Sequence, residues 1–287
     1  SIPCASFSDE QHRRNVSMQK RPTERQAGIV ELVRADGFRT IEQLAERFDV
    51  TPQTIRRDVN ALCEEGLLRR RHGGVEPALE HENIAYRARK VLNVNEKRKI
   101  AALVARAIPD EASLFFSIGT TPELVASALL QHRNLRIFTN NLNVAYVAAT
   151  NDSFDVTLIG GRLRNRDRDV LGPEVEEFFN SYKVDYGIFG VGGIESDGSL
   201  LDFDEQEVRA RSAILKNSRK NYLVADHTKF GRNAVVRGGS ITQVTAFFTD
   251  RLPPDHISQM ISKAGVDLHI PEANADFPTF FMPNDDS

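Results

Sequence analysis

The stretch TPQTIRRDVNAL, residues 51 to 62, combines two adjacent arginines with amide and hydroxyl side chains, a set of donors and acceptors suited to base edges and phosphates. At about 100° per residue, Gln53, Arg57 and Asn60 fall on one side of a helix. Thr54 and Arg56 flank them, and Ala61 is small enough to allow close approach. Ile55, Val59, Leu62 and Cys63 fall together on the other side and would face a core. Just beyond, EEGLLRRRHGGVEP sets Arg69, Arg70, Arg71 and His72 in succession before Gly73-Gly74, the composition of a basic strand and a tight turn. Either charge run alone usually means a solvated face. Following one another within one short unit, they form a far more specific signal for contact with a nucleic-acid duplex, with Thr51 as a further contact at the helix start.

A second kind of chemistry sits in loops farther along. SIGTTPE places Gly119, Thr120 and Thr121 between a strand and a helix, where free backbone N–H groups, two hydroxyls and the helix dipole suit a phosphate. The competing interpretation is a plain tight turn in which Thr121 caps the helix before Pro122. TNN ends another strand with Asn140 and Asn141, and GGRLR follows a third with Gly160 and Gly161. DEQEVRAR and ADHTKFGRNA add Asp204, Glu207, Lys229 and Arg232, acids and amides for hydroxyls and cations for a phosphate.

Those residues need elements to hold them. RQAGIVELVRADG has Ile29, Leu32 and Val33 on one helical face with Gly37 as a stop. TIEQLAERFDV has Thr40 and Gln43 spaced as a capping box over an Ile41, Leu44, Ala45, Phe48 stripe. Thr51 then caps a third helix, with Pro52 at its first position. Three short helices followed by a basic hairpin are the layout of a winged helix-turn-helix, with the third helix in the major groove and the wing on phosphates or the minor groove. We expect this domain over residues 20–75, a polar linker over 76–95, an α/β sensor domain over 96–271, and mobile ends at 1–19 and 272–287, with Met18 an internal start. In the sensor half, short apolar strands such as SLFFSI, LRIFT, DVTLI, NYLVA and TAFFT alternate with helical segments. This predicts a largely parallel α/β sandwich with its cleft at the carboxyl ends of the strands.

Composition bounds the alternatives. The 287 residues are 40% hydrophobic and 27% charged, ordinary for a globular chain of two domains. A net charge of -3 gives no general attraction to nucleic acid, so any basic surface is local. Two cysteines and no Cys/His spacing of a metal site predict no metal, no cofactor and a reducing cytoplasm. No apolar run approaches the roughly 20 residues that span a bilayer, so no membrane partner is expected.

The pair RQAGIVELV and TPQTIRRDV resembles the DeoR-family helix-turn-helix signature at Arg25, Ile29, Val33, Thr51, Thr54, Ile55, Arg56, Arg57, Asp58 and Val59. IGTTPE, TNNLNVA, GGRLR, GSLLDFDEQEVR, NSR and DHTKFGRNAVV extend the resemblance to about residue 250, and toward members that govern glycerol 3-phosphate metabolism. It implies a winged helix-turn-helix joined to a sensor domain similar in fold to ribose-5-phosphate isomerase. The implied function is a repressor on double-stranded operator DNA, released by glycerol 3-phosphate and acting as a dimer or tetramer. One departure is Ser117, where many relatives have an acid; it puts that residue's part in holding effector hydroxyls in doubt. The alternative is a sugar-phosphate isomerase-like enzyme with a fused helical domain. That chemistry needs a positioned carboxylate base, for which Asp185, Asp202, Asp204, Glu205 and Glu207 are available. DYGIFGVGG lacks the acid-rich run such an enzyme needs, and no nucleophile motif is present, so no catalytic residue is expected.

Overall fold

The computed structural model describes residues 24–64, 67–77, 89–90, 92–165 and 167–272. The expected extension at 1–19 with Met18, the tail beyond Glu272, and most of the 76–95 linker lie outside the described residues.

The first unit contains α1 (Glu24–Asp36), β1 (Arg39–Thr40), α2 (Ile41–Arg47), α3 (Pro52–Glu64), β2 (Leu68–Arg71) and β3 (Gly74–Pro77). Gly37 ends α1 with φ +81°, and its N–H donates to the Val33 carbonyl. The capping box at the start of α2 is present: Gln43 N donates to Thr40 Oγ1 at 3.1 Å, and Thr40 N to Gln43 Oε1 at 3.0 Å. Thr51 Oγ1 accepts from Thr54 N at 3.3 Å and so caps α3. Ile29, Val33, Leu44, Ile55, Val59, Leu62, Leu67 and Val75 close one apolar core behind these helices and the hairpin. The small sheet runs β1-β3-β2. A Cβ on Gly74 would stand 2.2 Å from the Arg39 carbonyl oxygen, so β3 reaches β1 only because the second residue of the Gly-Gly turn has no side chain.

The second unit is built on a seven-stranded parallel sheet. Its strands are β4 (Ser113–Phe116), β5 (Arg136–Thr139), β6 (Asp155–Leu158), β9 (Val184–Phe189), β12 (Ser218–Val224), β14 (Ala246–Phe248) and β15 (Asp267–His269), in the order β15-β14-β12-β9-β4-β5-β6. Alternation along the strands divides the core into two layers. Leu114, Phe116, Ile137, Ile188, Val224 and Phe248 pack with α4 (Val94–Ala107), α5 (Thr120–Ala128) and α6 (Leu142–Ala148). Phe115, Phe189, Leu223 and Phe247 pack with α7 (Pro173–Asn180), α8 (Glu205–Asn217) and α9 (Asp255–Ala264). The chain runs outward from β4 through β5 to β6 and then returns to β9 on the other side of β4. The point where strand order reverses therefore lies between β4 and β9, where sheets of this kind leave a crevice.

The sequence reading missed the smaller strands. β7 (Leu163–Arg164) pairs with β8 (Asp169–Val170), and β10 (Gly193–Ile194), β11 (Ser199–Asp202) and β13 (Val236–Ser240) form an antiparallel sheet. These strands are short or glycine-rich, and their pairing is set by tertiary contacts, not by a period in the sequence. No helix among the described residues is long and apolar enough to cross a membrane.

Gly187, in the middle of β9, tests the packing. A Cβ there would come 2.3 Å from Ser218 Oγ and 2.7 Å from Ile214 Cγ2. Gly187→Ala should cost about 1 to 3 kcal/mol by overpacking, read as a lowered urea midpoint; an unchanged midpoint would mean that β9 and α8 are not packed this closely.

Candidate DNA-binding and effector sites

The outer face of α3 carries Thr51, Gln53, Arg56, Arg57 and Asn60, all exposed, with Thr54 half-buried. Arg57 has no ion-pair or side-chain hydrogen-bond partner among the described residues, whereas Arg56 lies 3.9 Å from Glu42 in an exposed pair of little energetic weight. On the wing, Arg69, Arg70, Arg71 and His72 are all exposed. Arg70 NH2 donates to Asn60 Oδ1, which brings the wing against the outer face of α3. Arg69 and Arg71 both pair with Glu76, whose carboxyl is held below its usual range chiefly by the Arg69 hydrogen bond. Arg69 and Arg71, expected at phosphates or the minor groove, are thus partly engaged within the wing itself.

Asp58 was legible only as part of the family signature, and the structure gives it a physical task. It is buried on α3 and accepts from Arg25 Nε at 2.7 Å and Gln26 Nε2 at 3.0 Å, fastening α3 to α1. The polar α3 face is therefore presented on a helix anchored both by its apolar stripe and by a charged clamp.

The second site is a cavity of about 410 Å³ at the carboxyl ends of β4, β9 and β12. Gly119 is the N-cap of α5, with φ +120°, and no side chain caps the helix. Thr121 does not act as the cap that the tight-turn interpretation required, so the helix start presents its N–H groups to the cavity. Gly119, Thr120, Thr121, Glu207, Lys229 and Arg232 all line it, as does the buried Ser117. The Lys229 ammonium makes no hydrogen bond or salt bridge among the described residues. Burial, then the nearby charges of Arg232, Arg89 and Lys97, push its pKa down to about 7 against the pull of Asp226. Lys97, in the first turn of α4, is likewise pushed down by burial to about 8, and its Nζ donates to the Leu92 carbonyl at 2.7 Å. Glu207, on the same lining, is pushed up to about 7 by burial and by Asp202. It accepts from Arg164 NH2 at 2.9 Å, and Arg164 also holds Asp169 through two bonds of 2.8 Å. The lining thus combines cations and free N–H groups that suit an anion with carboxylates that accept from hydroxyls.

Several expected contacts are elsewhere. Asn140 and Asn141 do not line the cavity: both are fully buried, Asn140 Nδ2 donates to the Val170 carbonyl at 2.9 Å, and Asn141 Oδ1 caps α6. Gly160 and Gly161 also lie outside it, and GGRLR contributes through Arg164 instead. Asp204 is exposed and caps α8 by accepting from Gln206 N at 2.8 Å, so its side chain is occupied one turn before Glu207. Asp185 sits at the start of β9, at the opposite end of the strands, accepting from Ser113 Oγ at 2.6 Å. Cavity residues that sequence reasoning missed include Arg89, Leu92 and Asn93, placed in the linker, and Lys97, Asp167, Asp169 and Arg211, while Asp202 was singled out only as an available base for the enzyme alternative. RNRDRDV and EKRK carry no pattern separating such residues from solvated charge.

Comparison with known proteins finds a match for each of the two units. The DeoR-like helix-turn-helix domain matches residues 25–79, and the DeoR C-terminal sensor domain matches residues 92–251. The chain belongs to the DeoR family. It is 48% identical over 248 residues to the glycerol-3-phosphate regulon repressor of Escherichia coli (strain K12), covering 86% of this chain and 98% of that protein. It is 47% identical to the protein of the same name from Haemophilus influenzae, over 78% of this chain and 88% of that one. The HTH-type transcriptional repressor CsqR of Escherichia coli (strain K12) is 40% identical, over 86% and 95%. Ribose-5-phosphate isomerase A from Neisseria gonorrhoeae overlaps 47% of this chain and 52% of its own, at 14% identity and a TM-score of 0.34. This DeoR-family chain is a helix-turn-helix repressor closely related to the glycerol-3-phosphate regulon repressors, and the enzyme alternative is set aside.

The charge on Lys229 gives a pH test. Its folded pKa lies below the ordinary lysine value, so below about pH 7 the lysine is already charged and ready for a dianion, and above it binding must take up a proton. A phosphate monoester is essentially a dianion above its own pKa of about 6. Affinity measured by calorimetry should therefore fall as pH rises from about 7 to 9, by at most about tenfold per unit for each lysine involved, and Lys229→Gln should flatten the fall. A pH-independent wild-type affinity would remove Lys229 from the anion site.

Proposed function

We propose that this repressor binds double-stranded operator DNA through α3 and the wing, and that glycerol 3-phosphate in the sensor cavity weakens that complex. The observation that carries the effector assignment is the conjunction, in one cavity, of an uncapped helix start at Gly119 with a Lys229 ammonium that makes no hydrogen bond or salt bridge among the described residues. The phosphate sits on the N–H groups of Gly119, Thr120 and Thr121 with Lys229 as counter-charge, and Glu207 receives a hydroxyl of the glycerol moiety. The names of the relatives support this choice among phosphorylated polyols. Release follows only if the ligand prefers the state that does not bind DNA, since equal affinity for both states shifts nothing. Because dimers match palindromic half-sites, the working form is at least a homodimer, acting in the cytoplasm where its operator lies.

On the DNA side, Gln53, Thr54, Arg57 and Asn60 face base edges, while Thr51, Arg56 and the wing residues Arg69, Arg70, Arg71 and His72 face the backbone or the minor groove. Arg57→Ala should cost about 1 to 3 kcal/mol of specific binding and relax the preference at one base pair. Arg70→Ala should weaken all sequences alike and lower the salt slope by about one unit. Equal losses on specific and random DNA for Arg57→Ala would move that residue to the backbone.

The effector is tested by titrating glycerol 3-phosphate into a preformed operator complex. Release by millimolar ligand, with glycerol inert and Thr120→Val needing more ligand, is the expected result. No release, or equal release by glycerol, would overturn the assignment.

A further inference from the structure

Arg89, Lys90, Leu92 and Asn93 stand between the two units, and their side chains reach toward both. Leu92 is buried and belongs to the apolar core of the winged helix, together with Ile29, Leu44 and Val75, yet it also lines the sensor cavity. Its neighbours are fastened to separate cavity walls. Arg89 NH2 donates to Asp167 Oδ1, and that carboxylate is almost completely buried. Lys90 Nζ stands 3.0 Å from Glu123 Oε1, on the first turn of α5, the helix whose start faces the cavity. Asn93, with φ +52°, reaches Asp226 Oδ1 and Thr228 Oγ1, each at 3.4 Å. Lys97 ties the main chain of the same residues back to α4 by donating to the carbonyls of Arg89 and Leu92.

A connection with no mechanical role has no need of these anchors. Holding Arg89 and Lys90 against nearly buried carboxylates immobilises two long side chains, which costs conformational entropy and desolvation. The groups gripped are also those an anion entering the cavity would disturb. Arg89 lines the cavity beside Lys229, so a phosphate there competes with Asp167 for its guanidinium. Glu123 follows directly on the N–H groups that would hold the phosphate, so any adjustment of that helical turn pulls on Lys90. Because Leu92 lies between these anchors and inside the winged-helix core, the segment cannot shift on the cavity without shifting in that core.

Resting on the effector reading above, we propose that Arg89, Lys90, Leu92 and Asn93 act as a strap that carries cavity occupancy to the DNA-binding unit, with Arg89 exchanging Asp167 for the phosphate of the ligand and Lys90 holding the strap to α5. Arg89 touches the ligand, whereas Lys90 is a positioning residue that acts through Glu123. In the DNA-competent state the strap is closed on Asp167 and Glu123. With ligand bound, Arg89 turns inward and Leu92 is repacked against the winged helix.

The quantity that reports the strap is the ratio of the glycerol 3-phosphate dissociation constants with and without saturating operator DNA. Calorimetry on the full chain gives both constants for wild type, Arg89→Ala and Lys90→Ala, with circular dichroism to show that each variant is folded. A typical coupling makes the wild-type ratio about 5 to 150. Both variants should bring it to within about twofold of one, and Lys90→Ala should do so with its DNA-free affinity for glycerol 3-phosphate close to that of wild type. A folded Lys90→Ala protein with the wild-type ratio would overturn the strap, as would an Arg89→Ala protein that binds ligand more weakly but keeps the ratio. A wild-type ratio of one would instead overturn the effector reading itself, so the two failures are distinguishable.

Discussion

A lysine whose charge is costly organises the sensor half of this protein. The sheet brings Lys229 into a cavity with Arg232, Arg89 and Lys97, where it has no salt bridge among the described residues, and burial, then those neighbouring charges, push its pKa down to about 7. A dianion returns a counter-charge to that place, and the free energy it recovers is available for changing conformation. The parallel sheet serves this arrangement. β4, β9 and β12 end together, Gly119 starts α5 without a capping side chain, and Arg164 holds Glu207 and Asp169, which line the same cavity.

The DNA-binding half solves a different problem, which is to present polar side chains on a helix that must also be held rigidly. Ile55, Val59 and Leu62 supply apolar anchorage, and Asp58 adds a charged clamp to Arg25 and Gln26 on α1. The same helix therefore has a fully committed inner face and an outer face with Arg57 uncommitted among the described residues. The wing stays close through the Arg70 to Asn60 bond, while Glu76 neutralises part of its positive charge. A net charge of -3 over the chain gives no general attraction to nucleic acid, so contact with DNA rests on local cations such as these.

The sequence made the first unit legible almost residue by residue, because caps, the 3.6-residue period and the Gly-Gly turn are local signals. Thr40 with Gln43, Thr51 with Pro52, and Gly73 with Gly74 each state their role within a few positions. The cavity was legible only in part. Gly119, Thr120 and Thr121 were visible at a strand-to-helix junction, and Glu207 and Lys229 lay within motifs of the family. Arg89, Lys97, Asp167 and Arg211 looked like surface charge because what buries them is strands and helices far away in the chain. Asn140 and Asn141 misled for the converse reason. An amide at a strand end serves a ligand or a buried turn equally well, and here the backbone of Val170 and the start of α6 take them.

The central claim is positional: the phosphate lies on the start of α5 beside Lys229. A crystal structure of the protein with glycerol 3-phosphate bound tests this most directly. The account predicts phosphate oxygens within hydrogen-bonding distance, about 2.7 to 3.2 Å, of the N–H groups at Gly119 to Thr121 and of Lys229 Nζ, with a glycerol hydroxyl on Glu207. A phosphate seated on any other element, or the reversed ligand with its hydroxyls at the start of α5, would contradict it.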